Sequence, residues 1–195
     1  MLRIGITGGI GSGKTLVCRI FEQLGVPVYY ADTAATEIFY RKDIQQQIIK
    51  VFGGKLIDDK GFIDRKQLSA LVFNDKSLLE KLNAIIHPAV ALDVEDWSRK
   101  NAHAKYVLKE AAILFESGTN KGLDKVITVT APVDLKIARV IKREVWSREE
   151  VEKRMQNQWS DEEKIKRSDF VIYNDEQHLV IPQVLAIHEK IHALK

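Results

Sequence analysis

Leu2 to Thr7 form a short apolar run that stops at Gly8-Gly9, after which Leu16, Val17, Ile20, Phe21 and Leu24 recur at helical spacing until Gly25. The change of period predicts a strand, a glycine loop and a helix. Val26-Pro27-Val28-Tyr29-Tyr30 predicts a second buried strand, closed by Ala31-Asp32 and followed by a helix with Thr33 as its cap. From about Thr33 to His103 the pattern is mostly helical. It is broken at Gly53-Gly54, then by a hairpin around Leu56 to Ile63, before a helix over Gln67 to Phe73. In Leu82-Asn83-Ala84-Ile85-Ile86-His87-Pro88 a helix is expected to stop at the proline and restart. Strand character returns at Tyr106-Val107-Leu108 and over Lys125 to Thr130, where Ala131-Pro132 opens the next helix. A charged helical stretch fills Asp134 to Arg167. Phe170 to Tyr173 forms a last strand, and Val180, Val184, Ile187, Ile191 and Leu194 form a stripe that suits docking onto a sheet.

Strands that alternate with helices predict an α/β fold with a parallel sheet, whose ligands bind beyond the C-terminal ends of the strands. With 45% hydrophobic and 29% charged residues over 195 positions, the chain can bury a core, which excludes a disordered, collagenous or coiled-coil protein. The net charge of +3 is too small for a nucleic-acid stripe and suits an anionic small molecule. No apolar run reaches membrane-spanning length and the first residues do not read as an export signal, so no membrane or nucleic-acid partner and a cytoplasmic location are expected. The single cysteine, Cys18, falls in a helical pattern and reads as a buried thiol. The histidines have no metal-ligand spacing, so no transition metal is implied.

Gly8-Gly9-Ile10-Gly11-Ser12-Gly13-Lys14-Thr15 matches the phosphate-loop pattern GxxxxGK[ST] between a strand and a helix, the context that pattern requires. Glycines let the backbone aim N–H groups at phosphate oxygens, and the helix N-terminus adds partial positive charge. Lys14 then reaches the β and γ phosphates, and Thr15 offers a hydroxyl to Mg²⁺. Asp32 has two readings: a carboxylate that orients an acceptor hydroxyl, placed by a doubly wound sheet beside the phosphate loop, or a helix cap. Glu110 likewise reads as an acid at a strand end that organises Mg²⁺, or as a surface carboxylate. Arg143 is a candidate for neutralising phosphoryl charge from a lid, with Arg139, Arg148 and Arg154 as rivals. Asp58-Asp59-Lys60-Gly61 and Asn120-Lys121-Gly122-Leu123 mimic the DxxG and NKxD patterns of a GTPase switch, but Leu123 stands where the acid should be.

The loop from Thr7 to Thr15, Ala31-Asp32, Ile63-Asp64-Arg65, the run Leu82 to Pro88 and Ile113-Leu114-Phe115-Glu116 together resemble the dephospho-CoA kinases over nearly the whole chain. The resemblance implies a P-loop three-layer core with a helical acceptor-binding insert and a helical lid. It also implies ATP-dependent phosphorylation of the 3′-hydroxyl of dephospho-CoA, with Mg²⁺. The corresponding division is a core of residues 1–32 and 104–195, a lid at about 137–168 and an acceptor insert of 33–103. By position, Asp32, Lys14 and Arg143 match catalytic residues. Gly9, Ile10, Gly11, Ser12, Gly13, Lys14, Thr15, Leu16 and Asn174 match the nucleotide site, with Asn174 near the adenine. Asp32, Arg65, His87 and Glu110 fall on the acceptor side, Thr15 at the metal, and Arg154 to Gln158 match a lid helix. Three positions depart from the family pattern: Leu16 where a second hydroxyl is usual after the lysine, Tyr30 in place of an acid, and Ala112 in place of a proline. The oligomeric state is left open.

Overall fold

In the computed structural model, residues 1–58, 61–73 and 75–194 are described, and they divide into two compact units, Met1–Tyr30 with Lys100–Lys195 and Ala31–Arg99. The first unit holds a five-stranded parallel sheet in the order β2-β3-β1-β4-β5. Its strands are β1 (Leu2–Thr7), β2 (Val28–Tyr30), β3 (Tyr106–Glu110), β4 (Lys125–Thr130) and β5 (Phe170–Tyr173). Helix α1 (Lys14–Gln23) follows β1. After β4 come α6 (Val133–Arg143), α7 (Arg148–Met155) and α8 (Asp161–Lys166), and α9 (Val180–Ala193) follows β5. Ile4, Ile6, Leu108, Ile127, Val129 and Ile172 from the strands pack with Val17, Phe21, Val184, Ile187 and Ile191 from α1 and α9 in one core. Val180, Val184, Ile187 and Ile191 of the predicted stripe therefore dock on the sheet, whereas Leu194 lies past the end of α9.

The strand order follows burial rather than sequence order. β2 does not lie beside β1, because β3 stands between them, with Ile6 and Tyr30 both in register with Glu110. Tyr106, Val107 and Leu108 are buried, as a central parallel strand requires, whereas the short β2 is an edge. β2 also begins at Val28 rather than Val26. Pro27 has no N–H to give the ladder, although its carbonyl still accepts from Leu108 N at 2.9 Å.

The second unit holds α2 (Ala31–Phe39), α3 (Lys42–Phe52), a 3₁₀ turn at Gly54–Leu56, α4 (Arg65–Phe73) and α5 (Lys76–Lys100). Ile38, Phe39, Ile44, Ile48, Ile63, Leu68 and Val72 form its core. The predicted hairpin is present as a bridge between Ile57 and Ile63. Buried Gln45 ties it down, donating to Phe39 O at 2.6 Å and accepting from Ile63 N at 2.8 Å. Two expectations fail here. α2 starts at Ala31, so Thr33 lies inside its first turn and caps nothing, and Asp32 is also a first-turn residue rather than the cap. α5 runs unbroken through Pro88, which has no N–H to donate to the carbonyl one turn earlier.

Candidate active site

A parallel sheet brings the C-terminal ends of its strands to one edge, and there β1 passes into the loop Gly8–Gly13 and then α1. Gly13, at φ 92°, occupies the helix N-cap with no side-chain cap, so the first turn of α1 offers its amides to an anion. A Cβ at Gly13 would collide with Asn174 Nδ2, and one at Gly11 (φ 79°) with the backbone carbonyl of Lys136. Only glycine suits these two positions, both for conformation and for space.

Lys14 reaches back over the loop. Its Nζ donates to Gly8 O at 3.0 Å and lies 3.9 Å from Glu110 Oε1, the side chains being 11% and 9% exposed. Glu110 is the last residue of β3, which removes the surface-carboxylate reading. Asn174, just past β5, donates from Nδ2 to Ser12 O at 2.9 Å and takes its backbone N–H to Thr130 O. Thr15 and Leu16 are exposed at the mouth of the loop. Cys18 is buried behind it, where burial and then the charge of Glu110 push its thiol well above the ordinary range, so it stays protonated.

Of the arginines in the charged stretch, Arg139 binds the residue that holds the loop. Its Nη1 donates to Asn174 O at 2.9 Å, whereas Arg143, 63% exposed, turns its Nε to Glu144 at 3.0 Å. Arg148 pairs with Asp134 and Glu152, and Arg154 stacks on the Trp146 ring.

The structure adds contacts that the pattern did not reveal. Lys136, 5% exposed, pairs with Asp161 Oδ2 at 2.9 Å, and the same oxygen accepts from Thr130 Oγ1 at 2.5 Å. Gln158 Oε1 accepts from Ile10 N at 2.9 Å. Fully buried Lys164 binds Glu116 and Ala112 O, both at 2.9 Å, and Glu116 also accepts from Trp159 N. Lys136 carried a readable signal: it falls on the apolar stripe Val133, Ile137, Val140, where a charged residue needs a reason. An open groove of about 560 Å³ runs past Gly9, Pro132, Lys136, Gln158, Trp159 and Tyr173.

In the helical unit, Arg65 Nη1 donates to Thr36 Oγ1 at 3.3 Å, and that hydroxyl donates to Asp32 O at 3.0 Å. Arg65 and the helix that carries Asp32 are thus brought together. His87 is exposed on α5 and bonds to neither among the described residues.

The NKxD-like run is placed away from the phosphate loop. Asp124 is bound to both the N–H and carbonyl of Arg3, at the opposite edge of the sheet from the phosphate loop. Asp59 and Lys60 of the DxxG match lie outside the described residues.

A parallel sheet in this order, with a glycine loop gripping a lysine ahead of an uncapped helix, defines a P-loop nucleotide-binding fold. A family model described as Dephospho-CoA kinase matches residues 2–179. The chain belongs to the dephospho-CoA kinase family. It is 42% identical over 172 residues to the dephospho-CoA kinase of Fusobacterium nucleatum, covering 88% of this chain and 89% of the relative. It is 37% identical to that of Bacteroides fragilis, covering 99% and 96%. Among solved structures, a Thermus thermophilus protein superposes with TM-score 0.87 at 34% identity, covering 97% of this chain and 96% of that one. Dephospho-CoA kinase from Campylobacter jejuni superposes with TM-score 0.71 at 27% identity, again covering 97% and 96%. Shikimate kinase from Acinetobacter baumannii, at TM-score 0.51 and 18% identity, shares the fold. Among the described residues, no helix is long and apolar enough to cross a membrane.

Proposed function

We propose that this enzyme transfers the terminal phosphoryl group of ATP to the 3′-hydroxyl of dephospho-CoA, giving coenzyme A and ADP. The observation that carries the reading is a fully built phosphate loop, with Lys14 drawn back onto Gly8, in a chain of the dephospho-CoA kinase family. The helix amides and Lys14 hold the phosphates, and Asn174 keeps the loop in its receptive shape. Asp32 takes the proton of the acceptor hydroxyl as that oxygen attacks the terminal phosphorus; the bond from phosphorus to the bridging oxygen breaks, and ADP leaves. Arg65, one turn from Asp32 along the hydrogen bonds through Thr36, supplies positive charge for the anionic acceptor. His87 serves as a further acceptor contact. Arg139 and Arg143, on α6, are the candidates for neutralising charge on the nucleotide.

The donors near the loop suit Mg²⁺. The Thr15 hydroxyl is exposed at the loop mouth and Glu110 presents a carboxylate at the adjacent strand end, both hard oxygen ligands. Among the described residues there is no cluster of three or more acidic, histidine or cysteine side chains, so the ion would draw most of its ligands from phosphates and water. When bound, Mg²⁺ offsets charge on the β and γ phosphates. Nucleic acid and membrane are not among the partners in this reading, and the enzyme acts in the cytoplasm.

The test is ADP release from MgATP with dephospho-CoA, beside adenosine, AMP, shikimate and no acceptor, with the product mass recorded. A phosphoryl mass gain on dephospho-CoA alone is expected. Phosphorylation of another acceptor in preference to it would remove the substrate assignment.

A further inference from the structure

Gln158 stands between two anchored helices: its N–H goes to Met155 O at 3.0 Å at the end of α7, and Ser160 caps α8 just beyond it. Its side chain is half-buried and faces the loop. Because Ile10 contributes an N–H, the carboxamide atom that meets it must be the oxygen, which fixes the orientation of the planar group. The nitrogen, with two N–H donors, is then the other arm. Among the described residues it has no protein acceptor, and Gln158 lines the groove.

The position along the loop gives that nitrogen a use. The amides at the helix start cradle the inner phosphates, whereas the lysine reaches the outer ones, and here the Lys14 ammonium sits on Gly8 O. The Gly8–Ile10 limb is therefore the terminal-phosphate end. Three side chains converge on it: a Cβ at Gly9 would lie 3.3 Å from Asp161 Oδ1, 3.4 Å from Lys136 Nζ and 3.7 Å from Gln158 Oε1. The Lys136 ammonium is already engaged by Asp161, itself anchored on Thr130. Gln158 is thus the neutral donor that the wall leaves available.

We propose that Gln158 is a further residue of the phosphoryl-transfer site, its carboxamide oxygen anchored on the Ile10 amide and its nitrogen donating to the terminal phosphate of the nucleotide. The inference rests on the ATP-dependent reading above and adds to it a neutral donor aimed at the group in flight. A carboxylate of the same shape would keep the anchor on Ile10 and lose the donor.

Gln158→Glu and Gln158→Leu separate the two halves of that role. Calorimetric affinities for MgATP and MgADP, without acceptor, are measured for the wild type and both variants. Both variants are expected to bind MgATP about tenfold more weakly, with Gln158→Glu affected at least as much as Gln158→Leu, while MgADP changes less than about twofold. Turnover is expected to fall further than ATP affinity in both. If Gln158→Glu behaves as wild type while Gln158→Leu is impaired, the side chain is a loop tether only and the proposal fails. It fails equally if neither variant changes MgATP binding, or if MgATP and MgADP weaken together. Failure of the wild type to phosphorylate dephospho-CoA would remove the acceptor assignment and leave these binding results to decide Gln158.

Discussion

In the sheet unit, Lys14, Glu110, Lys136, Asp161 and Asn174 are all buried or nearly so around one loop. In the helical unit, buried Gln45 ties two segments together and serves backbone groups alone. The difference separates two reasons for burying polarity. Gln45 completes hydrogen bonds that the Phe39 carbonyl and the Ile63 amide would otherwise lack, which is a folding task. The ammonium and carboxylate groups around the loop carry desolvation costs that hydrophobic residues of similar volume would avoid. Their arrangement makes sense where a triphosphate arrives with several negative charges to be held.

Substitutions at the reacting groups should show the contrast most strongly. Lys14→Ala is expected to lower kcat by about 10²–10³ or more, and Asp32→Asn by about 10²–10⁴, both with unchanged far-ultraviolet circular dichroism. A folded Asp32→Asn enzyme with near-normal turnover would show that the carboxylate does not handle the acceptor proton. Next comes the buried pair. Lys136→Met or Asp161→Leu alone strands the other charge and should cost about 3–5 kcal/mol in urea denaturation, most of it recovered in the double variant. Gln45→Leu should cost about 1–3 kcal/mol for each backbone group left without a partner. It should leave MgADP affinity intact, whereas Asp161→Leu should weaken it; equal losses of affinity would erase the distinction between the two kinds of buried polarity.

Smaller effects belong to titration and to the surface. His188 Nδ1 and the Tyr106 hydroxyl share a hydrogen bond of 2.7 Å, and burial followed by neighbouring His192 lowers the His188 pKa. The unfolded chain therefore binds a proton at this position first as pH falls below about 6.5, so Tm should drop from there until the folded imidazole also titrates. His188→Gln should flatten that part of the profile. Asp175, held by His178 N–H groups, titrates at about 2, so its contribution persists until pH falls below the ordinary carboxylate range. Arg143→Ala, which breaks an exposed pair, should change stability by less than about 1 kcal/mol. A larger loss of stability would mean that Arg143 has structural work beyond Glu144.

Much of the fold can be read from local pattern because its strands are short apolar runs and its helices show apolar stripes, as in β1, β4 and α9. Strand order is not local. β3 enters between β1 and β2 because its residues can be buried on both sides, which no local pattern in β1 or β2 announces. Pro88 ends no helix, because the helical tendency on both sides of it carries α5 through the proline. At the site, the loop is legible because its glycines, lysine and threonine are adjacent in sequence. Gln158, Asp161 and Lys136 are not, since they meet the loop only after α6 to α8 fold back onto it. Glu110 has two readings in the sequence because its burial comes from its place as the final residue of an interior strand, which strand order decides.

The most direct test of the central claim is the position of the new phosphate on the product made from MgATP and dephospho-CoA, read by phosphorus–proton correlation in nuclear magnetic resonance. Coupling of the added phosphorus to the ribose H3′ alone is the predicted result. A phosphate coupled to H2′, or to a proton of the pantetheine arm, would contradict the account.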